Sequence, residues 1–336
     1  MVTPMFQLNR DTLLGTLFGF TISQTLITAI ELDLFTRIAS GSATLPALMA
    51  GTGSSERGLR ILLDALVGLS VLTKTPGKPD VYALSPTAAQ YLVAGQPDYL
   101  GGMARHARRL YENWGNLAEC VQTGQPAGGA QSLNEMETFF SDLVTGLVVT
   151  NRPVAATLAK ELTLSPGAQI LDVAGGMGVW SAALLKADPS RTATLLDLPR
   201  VVEVSSAHLS EQGLTDRYTF LAEDLENYDF PEAEFDCAIL AHICHALGPV
   251  ASQKLIAAMA GTLKPGGTIV IVDFIPDDRR AEPGYPLHFA TGMLVSTPEG
   301  NVFTASEYSA WLKEAGFSDV RVVSLGDKQT AILASR

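Results

Sequence analysis

The residues best suited to carry chemistry begin with a glycine-rich segment, Asp172-Val-Ala-Gly175-Gly176-Met-Gly178. This segment directly follows a short apolar run that has the character of a buried strand, and it precedes a helical pattern. In such a turn the glycines let a ligand approach the backbone closely, and the first N–H groups of the helix attract negative charge. The segment therefore predicts a site for a carboxylate or a phosphate, with a tightly packed turn as the alternative.

Two further carboxylates follow the next two strands of the pattern. Asp197 ends the second strand, a position from which an Asp side chain can accept both hydroxyl groups of a ribose. Asp224 closes the third strand, where it can accept the amino group of an adenine while Leu225 covers the ring. Asp197 alone fits a nicotinamide cofactor as well as S-adenosylmethionine, or a plain turn before Leu198 and Pro199.

A pair of histidines, His242 and His245, lies just past the fourth strand, where an open α/β sheet places ligands. An imidazole at this position could accept the proton of a hydroxyl group, or it could line a pocket. Two histidines three residues apart could also bind a metal, but no third ligand with suitable spacing accompanies them. No metal site is therefore predicted. The remaining histidines lie in predicted helices without motif support: His106, His208 and His288.

The elements that must position these residues alternate between strand and helix from residue 166 onward. Predicted strands occupy residues 170–173, 193–196, 218–221, 235–240 and 268–272, and predicted helices occupy residues 179–186, 201–212 and 251–263. This alternation predicts a doubly wound, mostly parallel sheet. Two later β-like runs, at residues 320–323 and 329–333, are separated by only five residues and predict a hairpin that forms an antiparallel edge.

The first hundred residues have a different, mainly helical pattern. Apolar periodicity predicts a buried helix over residues 13–34 and another helix over residues 55–67. Short β-like runs at residues 71–73 and 81–84 then flank a turn, an arrangement typical of a winged helix. Because the tip of this ribbon carries only Lys78, a structural or dimerising module is favoured over a DNA-binding one.

Composition narrows the function classes further. The 35 acidic and 23 basic residues give a net charge of −12, which repels polyphosphate, so nucleic acid is not an expected partner. The three cysteines are sparse and unpaired in pattern, as in a cytoplasmic protein with reduced thiols. Residues 1–10 lack the features of a signal peptide, and residues 13–34 are too polar for a comfortable membrane span. A cytoplasmic protein without membrane contact is expected.

Residues 170–203 (ILDVAGGMGVWSAALLKADPSRTATLLDLPRVVE) resemble the cofactor segment of the O-methyltransferases that include plant caffeate and acetylserotonin enzymes and bacterial natural-product enzymes. The resemblance covers almost the whole chain. Four further segments resemble parts of these enzymes in the same order along the chain. Residues 20–35 resemble the first dimerisation helix, residues 57–72 the winged-helix core, residues 114–124 the connecting segment and residues 304–317 the final helix. It implies a mainly α winged-helix dimerisation domain over residues 1–105, a helical connecting segment over 106–165, and a Rossmann-like, S-adenosylmethionine-binding catalytic domain over 166–336.

The resemblance also assigns cofactor residues. It places Asp172, Gly175, Gly176 and Gly178 at the methionine end of S-adenosylmethionine, Asp197 with Leu198 at the ribose, and Asp224 with Leu225 at the adenine. Ala174 departs from the family, which usually has the first glycine of its loop at this position. An alanine lacks the freedom of glycine to adopt positive φ, although its methyl group is small.

The base position of the family falls on His245, which is followed by Ala246 and Leu247 where the family has Asp-Trp. The two acidic residues that orient the base have Asp273 and Val302 at their positions, so that one is shortened and the other lost. His245 is accordingly interpreted either as the catalytic base, with Asp273, or as a histidine that lines the pocket. The resemblance also implies side chains that either line an acceptor pocket or simply pack in the core: Tyr111, Trp114, Phe139, Phe140, Phe289 and Met293.

These features predict a homodimeric enzyme that methylates a hydroxyl group of a small aromatic or polyketide-like molecule by histidine-assisted displacement. One alternative on the same fold is a carbon methyltransferase or a non-methylating decarboxylase, hydroxylase or cyclase. A second alternative is a winged-helix transcription regulator. A third is a nicotinamide oxidoreductase, which the turn at residues 264–267 and the C-terminal hairpin disfavour.

Overall fold

The computed structural model describes residues 8–126, 133–326 and 328–336, and its side chains exclude those of residues 133–142 and 226. The chain divides into two compact units, with the break between Leu110 and Tyr111. The predicted domain limits at residues 105 and 165 stay predictions. Each unit is described by itself.

The N-terminal unit is a helical bundle with a small hairpin. Its elements are α1 (Arg10–Leu17), α2 (Gly19–Glu31), α3 (Leu34–Ala39), α4 (Leu45–Thr52), α5 (Glu56–Gly68), β1 (Leu72–Thr75), β2 (Val81–Leu84), α6 (Pro86–Tyr91) and α7 (Gly101–Trp114), the last of which runs across the break. Ser55 caps α5, whose Leu59, Leu63 and Leu66 are buried at helical spacing. β1 and β2 pair antiparallel, which confirms the predicted ribbon after the helices.

The prediction of one buried helix over residues 13–34 is wrong. The segment instead forms α1 and α2, and α1 has no buried residue. Apolar side chains with large exposed fractions are Leu13, Leu14, Leu17, Phe18, Phe20 and Ile22. Among the described residues no single helix is long and apolar enough to cross a membrane. The pair α1 and α2, bent by 45° at their junction, would together be long and apolar enough by length and composition alone.

The C-terminal unit alternates strands and helices. Its elements are α8 (Leu117–Thr123), α9 (Leu133–Glu161), β3 (Gln169–Val173), α10 (Val179–Ala187), β4 (Thr192–Asp197), α11 (Pro199–Glu211), β5 (Tyr218–Ala222), β6 (Phe235–Ala241), α12 (Cys244–Leu247), α13 (Pro249–Thr262), β7 (Leu263–Asp273), α14 (Gly284–Ser296), α15 (Ala305–Glu314), β8 (Ser318–Gly326) and β9 (Gln329–Ser335).

The strands form one sheet in the order β5-β4-β3-β6-β7-β9-β8. β5, β4, β3, β6 and β7 run parallel, and β9 and β8 add an antiparallel edge. Both faces are covered by apolar clusters, so the central strands are buried on both sides and consist almost wholly of apolar residues. This architecture confirms the predicted Rossmann-like fold with an antiparallel C-terminal edge. Because the parallel strands end at the same edge, the residues that follow β3, β4, β6 and β7 gather there.

Candidate active site

The loop between β3 and α10 has an unusual backbone. Ala174, Gly176 and Gly178 have φ angles of 51°, 56° and 66°, all in the left-handed region. Glycine adopts this region freely, whereas an alanine incurs roughly 1–2 kcal/mol of steric strain there. Ala174 therefore holds a glycine-like conformation despite its side chain.

Gly175 lies in a space that admits no side chain. A Cβ atom at this position would come within 2.9 Å of Cγ of Asp172 and 3.0 Å of Cγ of Leu195. At Gly176, the added Cβ would meet Cγ1 of Val144 at 3.1 Å. The glycines thus let the loop pass close to β3, β4 and α9.

Asp172 is fully buried at the end of β3. Its Oδ2 accepts hydrogen bonds from the hydroxyl of Ser181 at 2.5 Å and from the backbone N–H of Ser181 at 3.3 Å. Its Oδ1 is buried without a hydrogen-bond partner among the described residues. Burial raises the pKa of Asp172 to about 7. A buried carboxylate with one unsatisfied oxygen is costly, so this side chain is suited to meet a ligand that donates hydrogen bonds.

Asp197 ends β4 and braces the glycine loop. Its Oδ2 accepts from the N–H of Gly176 at 2.8 Å, and its Oδ1 accepts from the N–H of Leu198 at 2.8 Å. Desolvation raises the pKa of Asp197 to about 6. Each carboxylate oxygen can accept a second hydrogen bond, so the side chain can still serve a pair of hydroxyl groups.

Asp224 and Leu225 follow β5, the strand next to β4. Both are half-buried, and Leu225 packs against the apolar cluster on one face of the sheet. The backbone carbonyl of Asp224 accepts from the N–H of Asn227 at 3.0 Å, which closes a single helical turn. The predicted ribose and adenine residues therefore lie at neighbouring strand ends.

The second half of the site is a histidine–aspartate pair. His245 lies in α12, and its Nδ1 is 2.6 Å from Oδ1 of Asp273 at the end of β7. Asp273 is 1% exposed and also accepts from the N–H of Phe274 at 2.8 Å. Burial alone would raise the pKa of Asp273, but the nearby His245 lowers it below the ordinary value. Nδ1 of His245 consequently donates to a carboxylate, which leaves Nε2 as the nitrogen that can accept a proton.

His242, directly after β6, is held by a different set of partners. Its Nε2 lies 2.9 Å from Oε1 of Gln329, whose Nε2 donates to Oδ1 of Asn151 at 3.2 Å. Its Nδ1 lies 3.9 Å from Oδ1 of Asp273 and is buried without a hydrogen-bond partner in the described part of the chain. Burial lowers the pKa of His242 to about 4, so this ring is neutral near pH 7.

The prediction that no third ligand accompanies the two histidines is wrong. The ligand atoms of His242, His245 and Asp273 all lie within 4.8 Å of one another, because β6 and β7 are neighbours. The 2.6 Å separation between His245 and Asp273 is a hydrogen-bond distance. Two ligands bound to one tetrahedral zinc at about 2.0–2.1 Å would stand about 3.3 Å apart. The geometry therefore favours a shared proton over a shared metal.

Aromatic rings surround the histidines. The ring of Phe289, on α14, lies 4.9 Å from that of His245 and 4.7 Å from that of Phe274. Tyr285 lies 5.1 Å from Phe274, and Trp180 lies 5.9 Å from His242. A flat apolar molecule placed beside these rings would meet aromatic faces and edges.

The other predicted pocket residues are less well defined. Trp114 packs against the ring of His288 at 5.9 Å, Met293 is half-buried, and Tyr111 is 40% exposed. The side chains of Phe139 and Phe140 lie outside the described residues. Of the predicted pocket residues that are described, Phe289 is the one in contact with His245.

Sequence reasoning missed several residues that complete the site. The hydroxyl of Tyr308 donates to Oδ2 of Asp273 at 2.7 Å, and Gln329 with Asn151 holds His242. No pattern in the sequence marks Ser181, although its position in the first turn of α10 brings it to Asp172. Tyr308 lies in the segment that resembles the family's final helix, and no local pattern links it to Asp273.

A parallel sheet with a glycine loop after β3, an acid at the end of β4 and a histidine–aspartate pair after β6 and β7 is the arrangement expected of an S-adenosylmethionine-dependent methyltransferase. The family model of the O-methyltransferase domain matches residues 114–318, and that of the O-methyltransferase dimerisation domain matches residues 14–94. The chain belongs to the O-methyltransferase family, and its cofactor is S-adenosylmethionine. Because the chain belongs to this family, it is a methyltransferase and not a nicotinamide oxidoreductase or a transcription regulator.

Individual relatives agree with this assignment. The chain is 32% identical to the tetracenomycin polyketide synthesis 8-O-methyl transferase TcmO of Streptomyces glaucescens, over 94% of this chain and 93% of the relative. It is 32% identical to the 3-hydroxy-5-methyl-1-naphthoate 3-O-methyltransferase of Streptomyces sahachiroi, over 91% and 88%. The crystal structure of human N-acetylserotonin methyltransferase with S-adenosylmethionine is similar with a TM-score of 0.85 and 26% identity, over 99% of both chains.

Proposed function

We propose that the chain methylates a hydroxyl group of a small aromatic or polyketide-like molecule, with His245 as the general base. The observation that carries this proposal is the 2.6 Å hydrogen bond between Nδ1 of His245 and Asp273, at the edge of the sheet where the glycine loop also lies. This bond directs the basic Nε2 away from the carboxylate. Two relatives that are 32% identical are named for O-methylation of a tetracenomycin polyketide and of a naphthoate, which supports the acceptor class.

The donor half of the site fits the cofactor. S-adenosylmethionine, when bound, supplies a methyl group that its sulfonium already activates. The unpartnered Oδ1 of Asp172 can accept from an ammonium group, and Asp197 can accept from ribose hydroxyls. The residues that would hold it are Asp172, Gly175, Gly176 and Gly178 at the methionine end, Asp197 and Leu198 at the ribose, and Asp224 and Leu225 at the adenine.

The base half of the site then moves one proton. His245 would take the hydroxyl proton at Nε2 as the acceptor oxygen becomes methylated. The bound S-adenosylmethionine would supply the methyl group, with its sulfur as the leaving group. Asp273 stabilises the resulting imidazolium through the hydrogen bond to Nδ1. General-base catalysis of this kind contributes roughly 10²–10⁴-fold in rate. Alignment of the two reactants by the site supplies much of the remainder.

The aromatic rings beside His245 support a planar acceptor. The ring of Phe274 stacks on the imidazole at 6.3 Å, the ring of Phe289 meets it in a T-shaped contact at 4.9 Å, and Tyr285 extends the cluster. Aromatic pairs of this geometry contribute about 0.5–1.5 kcal/mol beyond the area they bury. An acceptor ring that packs beside this cluster would bring its hydroxyl group near the imidazole of His245.

We also propose that the protein is a homodimer assembled through its N-terminal unit. α1 exposes a row of apolar side chains with no burying partner in the described chain, and the dimerisation-domain match covers this region. An interlocked interface should bury on the order of 2,000 Å² or more. Light scattering should give twice the chain mass, and Leu17→Asp should shift the protein toward monomer. A wild-type monomer at sub-micromolar concentration would contradict the proposal.

The proposed base is tested with His245→Gln on a panel of phenols and naphthols that the wild-type protein methylates. Turnover should fall roughly 10²–10⁴-fold, because the proton acceptor is lost. Affinity for S-adenosylhomocysteine, measured by calorimetry, should stay within about twofold, since the donor residues are unchanged. Raising the pH should partly restore turnover of phenols, because solution then supplies the phenolate.

His242→Gln is the matched control, because it removes a neutral imidazole from the same cluster and should be milder. Mass spectrometry of the products separates O-methylation from the alternatives on this fold. A non-methylated product would contradict the proposed methyl transfer. Near-normal turnover of His245→Gln would contradict the proposed base.

A further inference from the structure

Tyr308 is a fully buried polar residue beside the proposed base, at 0% exposure. Its hydroxyl donates to Oδ2 of Asp273 at 2.7 Å, while Oδ1 of the same carboxylate accepts from His245. Burial raises the pKa of Tyr308 well above its ordinary value, so the hydroxyl keeps its proton and remains a donor. Both oxygens of Asp273 are thus held from opposite ends of the group.

The position of this hydroxyl is fixed by the helix that carries it. α15 begins with a capping box, in which the side chains of Thr304 and Glu307 each accept from the other's backbone N–H. The rings of Phe303 and Trp311 pack edge-on against Tyr308, with centroid distances of 5.9 Å and 5.4 Å. A tyrosine has only two rotatable side-chain bonds, so this packing leaves its hydroxyl little freedom.

Val302 stands where related enzymes would carry a second acid, and it is buried, apolar and 1% exposed. An apolar side chain cannot orient the imidazole by hydrogen bonding, so its orientation depends on Asp273. Rotation of that carboxylate would carry Nδ1 of His245 with it. The Tyr308 hydroxyl on Oδ2, together with the N–H of Phe274 on Oδ1, opposes such rotation.

We infer that Tyr308 is a positioning residue for the general base: it fixes the Asp273 carboxylate in place of the missing acid and moderates the pull of that carboxylate on His245. This inference rests on the proposed role of His245. The hydrogen bond from Tyr308 draws negative charge toward Oδ2. Without it the charge on Oδ1 is stronger, and the imidazolium form of His245 is favoured.

In the described part of the chain, the other titratable groups that face Asp273 are His242 and Cys244. His242 is neutral near pH 7 because burial lowers its pKa to about 4. Burial raises the pKa of the Cys244 thiol to about 12. Neither group changes charge between pH 5 and 9, so a pH effect of Tyr308 in this range reports on the pair of Asp273 and His245.

The experiment compares Tyr308→Phe with wild type. Loss of one hydrogen bond to a buried carboxylate should lower kcat about tenfold, while KM for S-adenosylmethionine stays within about twofold. The acidic limb of the pH profile of kcat/KM should move upward by roughly half a pH unit, which a purely structural role would not cause. In the His245→Gln background Tyr308→Phe should have no further effect on kcat, because it acts through the base.

Tyr82→Phe is the matched control, since it removes another buried tyrosine hydroxyl, in the N-terminal unit, and should leave the acidic limb in place. An unchanged limb in Tyr308→Phe, or a full further loss in the His245→Gln background, would overturn the inference alone. Near-normal turnover of His245→Gln would overturn the proposed base itself. If Tyr308→Phe does not fold, 3-fluorotyrosine at position 308, a more acidic donor, should move the limb downward, and no movement would overturn the inference.

Discussion

Replacing Asp273 with asparagine separates the charge of the base pair from its shape. Oδ1 accepts from Nδ1 of His245 and from the N–H of Phe274, whereas Oδ2 accepts from the hydroxyl of Tyr308 and from no other group among the described residues. An asparagine amide can keep its oxygen at the first position and place its NH₂ at the second. There the hydroxyl of Tyr308 can rotate and become the acceptor. Asp273→Asn should therefore preserve the orientation of His245 and remove only the negative charge.

The size of the effect follows from that change. A hydrogen bond to a charged group contributes about 1.5–3 kcal/mol and a neutral one about 0.5–1.5, so the loss is about 1–2 kcal/mol. Since each 1.36 kcal/mol is tenfold in rate, turnover should fall about 5- to 30-fold. This loss is smaller than the roughly 10²–10⁴-fold expected for removal of the base itself.

The assay is single-turnover methylation at saturating S-adenosylmethionine, with Asp273→Asn and His245→Gln measured side by side. Asp236→Asn is a suitable control, because Asp236 also accepts a backbone N–H and pairs with Lys264 but lies outside the site. If Asp273→Asn lost as much turnover as His245→Gln, its NH₂ group and not its oxygen would face His245. That result would refute the argument from the hydrogen bonds. If it retained wild-type turnover, the carboxylate would have no role.

Three further outcomes are expected. Ala174→Gly should raise the free energy of unfolding by about 0.5–1 kcal/mol in urea titrations, because relief of left-handed strain exceeds the added freedom of the unfolded chain. A decrease would show that the loop is unstrained. Asp197→Ala should weaken binding of S-adenosylhomocysteine in calorimetry by at least about 1 kcal/mol, and an unchanged Kd would refute its role at the ribose. The pKa of Asp172 is raised from 3.8 to about 7, so the folded state binds its proton more tightly and stability declines as pH rises between these values. Asp172→Asn should thus gain in melting temperature over ligand-free wild type as the pH rises from 4 to 7, and a constant difference would contradict the shift.

Much of the C-terminal fold could be predicted because its strands are buried on both faces. Such strands are short, mainly apolar runs, as at residues 170–173, and glycines or prolines lie in the turns between them. The break between α1 and α2 was not predictable in the same way, because apolar periodicity continues across it. Periodicity reports which residues share a helical face, and it does not report whether that face is covered.

The candidate site likewise has a part that the sequence predicts and a part that it does not. Asp172, Asp197 and His245 each follow a strand, so a local pattern placed them at the functional edge of the sheet. The partners of the histidines come from distant parts of the chain: Tyr308 lies 35 residues after Asp273, and Gln329 lies 87 residues after His242. Those contacts depend on how α15 and β9 dock against the sheet. No spacing within the sequence encodes that docking.

The position of β9 has a consequence for how the protein is made. Although β9 follows β8 in the chain, it lies between β7 and β8, so β8 cannot join the sheet until β9 has been inserted. β9 pairs with Asp273 through Thr330, and its first residue, Gln329, holds His242. During synthesis from the N-terminus, β3 and β4 with the glycine loop emerge well before this hairpin. The surroundings of the two histidines are therefore completed only after residues 329–335 have left the ribosome, and a nascent chain acquires its donor-side strands before its proton-transfer side.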